Sequence, residues 1–217
     1  MTHPDELRTT STKRERNAQE TKRRLLDAAE AEFAAKGFPG ARLRAIADAV
    51  GVQSTLIAHY FGDKEGLYQA VLDRALADVT EGSWAILDKY REPRELVEVF
   101  VDYLIELHAK SGPLFAILRH EAASGGTAVG LVVLRERNRP LFEAIREHIE
   151  RFQAEGRIRP NIDSKELILA TMGMTLYAFQ DAPLLDAVWP ETTSHDPETL
   201  ARRKRTVVEL VLRGILP

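Results

Sequence analysis

Apolar residues recur at helical spacing along most of the chain, and within residues 43–60 this spacing is combined with a turn. The first helix predicted there has one apolar face, formed by Ile46, Ala47 and Val50. Gly51 follows at once, and glycine adopts the left-handed conformation that ends a helix at little cost. The apolar pattern then resumes and continues through Ile57 on a second short helix.

The second of these helices has a polar side opposite its apolar face. Its polar residues are Gln53, Ser54, Thr55 and His59. Two short helices around a tight turn are typical of a helix-turn-helix, whose second helix presents side chains to base edges in the major groove of DNA. We therefore predict that these four residues contact the base edges of DNA. An ordinary helical hairpin within an all-α domain is the alternative that this stretch alone leaves open.

The rest of the chain reads as helices joined by short turns, with no alternating pattern typical of strands and no internal repeat. We expect one long helix over residues 64–90 and an interruption at Pro140 in the stretch 128–154. Asp163 is expected to cap a helix whose residues are apolar on nearly all sides, which predicts burial on several sides. The other expected helices cover residues 93–110, 114–123 and 197–215.

Composition excludes several classes of site and of protein. The 217 residues include no cysteine, so disulfides, thiolate metal sites and a cysteine nucleophile are excluded. The sequence contains neither a membrane-spanning run nor a secretory signal in its first residues, and we expect a cytoplasmic protein. It also lacks metalloprotease and phosphate-loop motifs, so we predict no catalytic residue, no metal site and no cofactor.

The distribution of charge indicates a phosphate-binding segment, although the net charge is −3. Seven basic residues lie between positions 8 and 24 against two acidic ones, a local excess of five positive charges. Such a segment favours contact with the DNA backbone. The basic residues are Arg8, Lys13, Arg14, Arg16, Lys22, Arg23 and Arg24. A second basic run, residues 202–205, is interpreted as the solvated face of the last helix.

Three linked segments resemble the DNA-binding domain of the tetracycline-repressor (TetR) family of bacterial transcriptional regulators. The first begins at Thr21 and continues through LLDAA (25–29) and Phe33 to KGF (36–38). The second is LRAIADAVGV (43–52), which contains the turn, and the third is HYFGDKEGLYQAVL (59–72). One departure is that the family usually has Thr or Ser before its second helix, where this chain has Ala41 and Arg42. The weaker N-cap is expected to cost about 1 kcal/mol.

The resemblance implies an all-α protein with an N-terminal three-helix helix-turn-helix domain and a helical ligand-binding and dimerisation domain. We assign residues 1–17 to a flexible basic arm, 18–66 to DNA binding, and 67–217 to effector binding and dimerisation. The expected function is that of a transcriptional regulator, acting as a repressor. It is expected to bind an inverted-repeat operator in double-stranded DNA as a homodimer. The DNA-binding candidates are Arg42, Arg44, Gln53, Ser54, Thr55, His59, Tyr60 and Lys64.

The resemblance further implies a small-molecule effector, of unknown identity, bound among the middle helices. The candidates combine aromatic bulk with polar tips: Trp84, Tyr103, His120, Glu121 and Tyr177. The two most apolar helices, at about 163–179 and 197–215, are expected to form the dimer interface. An all-α enzyme, or an interaction module that reuses the hairpin for protein contact, remains the alternative function.

Overall fold

The computed structural model describes the backbone of residues 4–190, 193 and 195–217, with their side chains from residue 16 onward. Over this part of the chain the protein is helical and contains no strand, which confirms the all-α fold class. The ten helices described are α1 (Pro4–Gly40), α2 (Leu43–Val50), α3 (Thr55–Phe61), α4 (Lys64–Lys89), α5 (Pro93–Lys110), α6 (Gly112–Ala123), α7 (Ala128–Ala154), α8 (Ser164–Gln180), α9 (Ala182–Val188) and α10 (Pro197–Ile215).

Contacts divide the chain into two compact units. The first contains the residues up to Arg74 together with Ala116–Val133, and the second contains Ala75–Phe115 and Leu134–Pro217. Helices α4, α6 and α7 therefore contribute residues to both units. The boundary that the sequence suggested at residue 66 does not coincide with this division, because α4 continues without a break past that position. The functional division of the chain stays a prediction.

The first unit is built on a long N-terminal helix that changes direction at Gly37. This glycine has φ of +65°, a conformation that interrupts α1 before one further turn ends at Gly40. Residues 4–17, assigned to a flexible arm, belong to α1, while the side chains of residues 1–15 lie outside the described part of the chain. The core of this unit includes Leu25, Ala29, Phe33, Ile46, Ala47, Val50, Ile57, Leu67, Tyr68, Val71 and Leu72.

The second unit is organised around α5, α8 and α10, which pack against one another. Its buried cluster consists of Val101, Ile105, Phe152, Ile158, Val207, Val211 and Ile215. The predicted cap at Asp163 is confirmed, because its side chain accepts hydrogen bonds from the N–H groups of Lys165 and Glu166. Two details differ from expectation: α7 runs through Pro140 as a single helix, and α9 was not predicted.

Helix α8 is less buried than its composition suggested. Ile168 and Thr175 face the core, but Leu169 and Tyr177 are mostly exposed. The apolar residues of this helix therefore form two faces, of which the second has no partner within the described residues of the monomer. No helix in the described part of the chain is long and apolar enough to cross a membrane.

Candidate DNA-binding surface

The turn between α2 and α3 has the predicted geometry. Gly51 adopts φ +75° and ψ +35°, the left-handed conformation that ends α2. Its N–H donates to the Asp48 carbonyl over 3.1 Å, and the N–H of Val52 donates to the Ala47 carbonyl over 3.0 Å. Ala47 is buried, so its small side chain permits close packing at this corner. The turn fixes the direction in which α3 leaves α2.

Helix α3 has one buried and one exposed side. Ile57 is fully buried and anchors the helix in the core of the first unit. The four predicted base-reading residues, Gln53, Ser54, Thr55 and His59, are all exposed. Thr55 and His59 lie one turn apart on the exposed side of α3, and Gln53 and Ser54 are exposed immediately before it, so all four are accessible as base-reading side chains must be.

The start of α2 lacks a side-chain cap, as the sequence indicated. Arg42 occupies the N-cap position with extended backbone and makes no capping bond through its side chain. Its N–H instead donates to Oε1 of Glu32 on α1, over 3.2 Å. The Lys36 ammonium, together with that N–H, holds the pKa of Glu32 below its usual value. A carboxylate on α1 thus holds the N-cap residue of α2 through that residue's own backbone N–H.

Three predicted phosphate contacts lie at the start of α2 and near the end of α3: Arg42, Arg44 and Tyr60. Arg42 and Arg44 are exposed, and Arg44 makes only a long 3.8 Å ion pair with Asp48. Tyr60 is half-buried beside His59, with ring centroids 5.2 Å apart. Arg42 and Arg44 thus have little to hold them away from an approaching phosphate, whereas Tyr60 is partly packed.

Lys64 is engaged within the first unit. Its Nζ donates to the Pro39 carbonyl over 3.3 Å and lies 5.0 Å from the centroid of the Phe38 ring. Next to it, Asp63 caps α4 by accepting from the N–H of Gly66 over 2.8 Å. The ammonium is therefore placed by the end of α1, and its predicted contact with phosphate stays a prediction.

The basic residues of α1 have different roles in the structure. Arg24 donates through Nη2 to the Val50 carbonyl over 2.9 Å, so it ties α1 to the C-terminus of α2. Arg23 pairs with Glu20 and Asp27. Lys22 lies 5.7 Å from the centroid of the Phe61 ring. The sequence did not predict this structural role of Arg24, because nothing there distinguishes it from the adjacent basic residues Lys22 and Arg23. The side chains of Arg8, Lys13 and Arg14 lie outside the described residues.

The predicted effector residues are divided between the two units. His120 and Glu121 belong to the first, and Trp84, Tyr103 and Tyr177 to the second. Glu121 is only 4% exposed and accepts a hydrogen bond from the Tyr68 hydroxyl over 2.6 Å. Tyr103 donates to the Val79 carbonyl over 2.9 Å. The structure does not gather the five within one unit, and their contact with an effector stays a prediction.

The second unit holds one buried imidazole that none of these assignments included. His108 is 6% exposed, and its ring lies between those of Phe115 and Phe179, with centroids 4.3 and 5.7 Å away. Its Nδ1 is buried without a hydrogen-bond partner. Burial lowers the pKa of His108 to about 4, opposed by the Leu104 carbonyl. The imidazole is therefore neutral at pH 7.

Among the described residues, no group of three or more His, Asp or Glu side chains is placed to hold a metal ion. The site therefore consists of an exposed polar helix face, flanking arginines and a well-formed turn.

Comparison with known proteins covers both units. Residues 25–71 match the family model described as bacterial regulatory proteins, tetR family, and residues 93–211 match the tetracyclin repressor-like C-terminal domain. The HTH-type transcriptional regulator RutR of Escherichia coli K12 is 28% identical over 212 residues, covering 96% of each chain. UidR of the same strain, also named an HTH-type transcriptional regulator, is 28% identical over 156 residues, covering 68% of this chain and 74% of UidR.

The fold is shared with solved structures. AibR, crystallised with isovaleryl coenzyme A and operator DNA, superposes with a TM-score of 0.71 at 18% identity, covering 88% of this chain and 97% of AibR.

Proposed function

The chain belongs to the TetR family of bacterial transcriptional regulators, and from this premise we propose that α3 reads an inverted-repeat operator. Gln53, Ser54, Thr55 and His59 contact base edges, and Arg42, Arg44, Tyr60 and Lys64 contact phosphates. The observation that carries this assignment is the exposed polar side of α3, whose opposite side is anchored by the buried Ile57. The relatives that the chain resembles are transcriptional regulators, which supports a regulator over an enzyme.

Sequence selection followed by mutation tests the division of roles. DNA fragments selected by the purified protein should contain an inverted repeat. Gln53→Ala should relax preference at one position of each half-site by about 1–3 kcal/mol, because glutamine can form two hydrogen bonds with adenine.

Lys64→Ala should instead weaken all duplexes alike and reduce the slope of log K against log salt by about one. Lys110→Ala is the matched control, since Lys110 is an exposed lysine paired with Glu106 in the second unit. It should leave affinity and salt slope unchanged. If Gln53→Ala and Lys64→Ala each lowered the affinity for every DNA sequence by one common factor, the roles of the two residues would be wrongly assigned. Failure to select any sequence, with no salt-dependent binding, would favour a protein-interaction module.

We propose a homodimer formed through α8 and α10. Leu169 and Tyr177 on α8 and Leu210 on α10 are each more than half exposed. Exposed apolar faces of this kind are typical of association surfaces. On the same face of α8, Ala170 and Gly173 are exposed and small, which allows a partner helix to approach closely. To read two half-sites one helical turn apart, the two α3 helices of such a two-fold dimer must lie roughly 34–36 Å apart, at successive major grooves.

The structure decides which variant tests this interface. Val211, an apolar residue of α10, is 5% exposed and lies in the buried cluster of the second unit. Its replacement would test folding rather than association. Leu210, one position earlier, is the suitable residue.

We propose that a small molecule bound in the second unit controls repression. His108 supports this, because a polar group between aromatic walls is the usual composition of a ligand pocket. Acyl-coenzyme A thioesters are the first class to test, since AibR was crystallised with one. Isovaleryl-coenzyme A should raise the melting temperature and change operator affinity by about 5- to 150-fold. A rise in melting temperature with operator affinity unchanged within twofold would contradict control by this ligand.

A further inference from the structure

We propose that Glu121 is a positioning residue for DNA binding. It fixes the α6–α7 corner, defined as residues 116–133, against α1 and α4. This inference rests on the proposed function, because it assigns the buried carboxylate a role in operator binding rather than in effector contact. The Glu121 cluster is defined as Tyr68, Glu121 and Thr127, all in the first unit.

The carboxylate of Glu121 is surrounded by donors. The Tyr68 hydroxyl donates to Oε1 over 2.6 Å. The N–H of Thr127 donates to Oε2 over 2.7 Å, and the Thr127 hydroxyl lies 3.0 Å from Oε1 and 3.2 Å from Oε2. A buried carboxylate is costly unless it is hydrogen-bonded, so these donors are what allow its burial. Tyr68 is 53 positions away in the sequence, which makes the bond a link between distant segments.

The N-terminus of α7 also favours the negative charge. Thr127 immediately precedes α7, whose 27 residues align their peptide dipoles with the positive end toward Glu121. The Thr127 hydroxyl accepts from the N–H of Gly130 over 2.9 Å. A Cβ at Gly130 would overlap Oε2 of Glu121, so the absence of a side chain there admits the carboxylate. The hydrogen-bond donors, the N-terminus of α7 and the absence of a side chain at Gly130 thus all accommodate the Glu121 carboxylate.

The corner also touches α1 at the break that precedes α2. A Cβ on Gly37 would lie 3.1 Å from Cγ of His120, and Nε2 of His120 lies 3.2 Å from the Ala34 carbonyl oxygen. Tyr68 itself packs against Phe33 and Phe38, with ring centroids 4.8 and 4.9 Å away. The corner and the Glu121 cluster therefore join the end of α1 to the start of α4, which are the two segments that flank α2 and α3 in the chain.

Both helices of the corner continue into the second unit, because α6 begins at Gly112 and α7 extends to Ala154. A ligand that displaces either helix must move the corner with it or break the bond between Tyr68 and Glu121. In either case the contacts of the corner with Tyr68 and with the end of α1 are disturbed. The cluster is thus a local element whose two states, bonded and broken, an effector can bias.

The first test is Tyr68→Phe, which removes only the hydroxyl. Because it leaves a buried charged group with one donor fewer, operator affinity should fall about tenfold or more at a temperature where the variant is fully folded. Tyr90→Phe is the control, since it also removes a single tyrosine hydroxyl, but in the second unit. It should leave operator affinity within twofold of the wild type.

A second variant and a second measurement separate positioning from general loss of stability. Glu121→Gln should weaken operator binding in the same direction, and the double variant with Tyr68→Phe should lose less than the product of the single losses, because both remove one interaction. Hydrogen exchange should accelerate together in residues 116–133 and 34–41 of each single variant.

Operator binding by the wild type is the reference for every variant. Wild-type protein that selects no operator would overturn the proposed function itself. Wild-type binding that Tyr68→Phe retains within twofold would overturn the role of Glu121 while leaving the proposed function intact. Faster exchange confined to residues 121–130, with affinity retained, would lead to the same conclusion.

Discussion

Replacement of His108 by phenylalanine should remove a pH-dependent part of the stability of this protein. His108 is 6% exposed between Phe115 and Phe179, and its burial lowers the pKa to about 4. The unfolded chain has an ordinary histidine pKa of about 6.5. Between these two values the unfolded state binds a proton that the folded state does not. Stability is therefore complete above pH 6.5 and is lost as the pH falls toward 4.

The size of the effect follows from the two pKa values. A pKa of about 4 in the fold and about 6.5 in the unfolded chain makes the free energy of unfolding about 2 kcal/mol lower at pH 5 than at pH 7. The loss approaches about 3 kcal/mol below pH 4. Phenylalanine at this position keeps the aromatic packing and cannot titrate.

Urea denaturation of the wild type and His108→Phe, each at pH 7 and pH 5 and at one protein concentration, measures this contribution. Every other titrating group is present in both proteins, so the difference between their pH dependences isolates His108. The wild type should lose about 2 kcal/mol more than the variant between pH 7 and pH 5. Equal pH dependence within about 0.5 kcal/mol would refute the reasoning, because His108 would then titrate in the fold as it does in the unfolded chain.

Three further substitutions have expected outcomes. Gly51→Ala should destabilise the protein by about 1–2 kcal/mol in thermal unfolding, because φ is +75° there. Gly82→Ala should cost about 1–3 kcal/mol, since its Cβ would overlap the Tyr103 hydroxyl, and Tyr103→Phe in the same chain should recover part of that loss. Leu210→Asp should yield a protein that is monomeric by light scattering and folded by circular dichroism, whereas Val211→Asp should unfold the second unit. A dimeric Leu210→Asp protein would exclude α10 from the interface.

The sequence was sufficient for features that depend on a few neighbouring residues. The left-handed turn at Gly51 and the cap at Asp163 were predicted from residue type and position, because backbone preference and capping act within about four residues. The last helix, Pro197–Ile215, was also predicted with its observed bounds. The exposed polar side of α3 followed from periodicity, since a short helix with Ile57 in the core must turn its opposite side outward.

The burial of neighbouring residues of equal polarity could not be predicted from the sequence in the same way. Leu210 and Val211 are both apolar and adjacent on α10, yet one is 57% exposed and the other 5%. Helix α10 packs against α5 and α8 with only part of its apolar surface. Periodicity shows that such residues lie on a helix, but the docking of that helix decides which of them enters the core.

The surroundings of Glu121, which the sequence suggested as an effector contact, could not be predicted from its neighbours in the chain. A charged residue beside His120 in an apolar segment fits either a ligand site or an internal hydrogen-bonded group. The sequence by itself determined most of the helices, the turn and the polar face that would meet DNA, because these arise from local backbone and periodic preferences; it did not determine the continuity of α7 or the presence of α9. Only the tertiary structure placed Tyr68, 53 positions away, against the carboxylate, because a buried charge is stabilised by whichever donors helix packing brings to it.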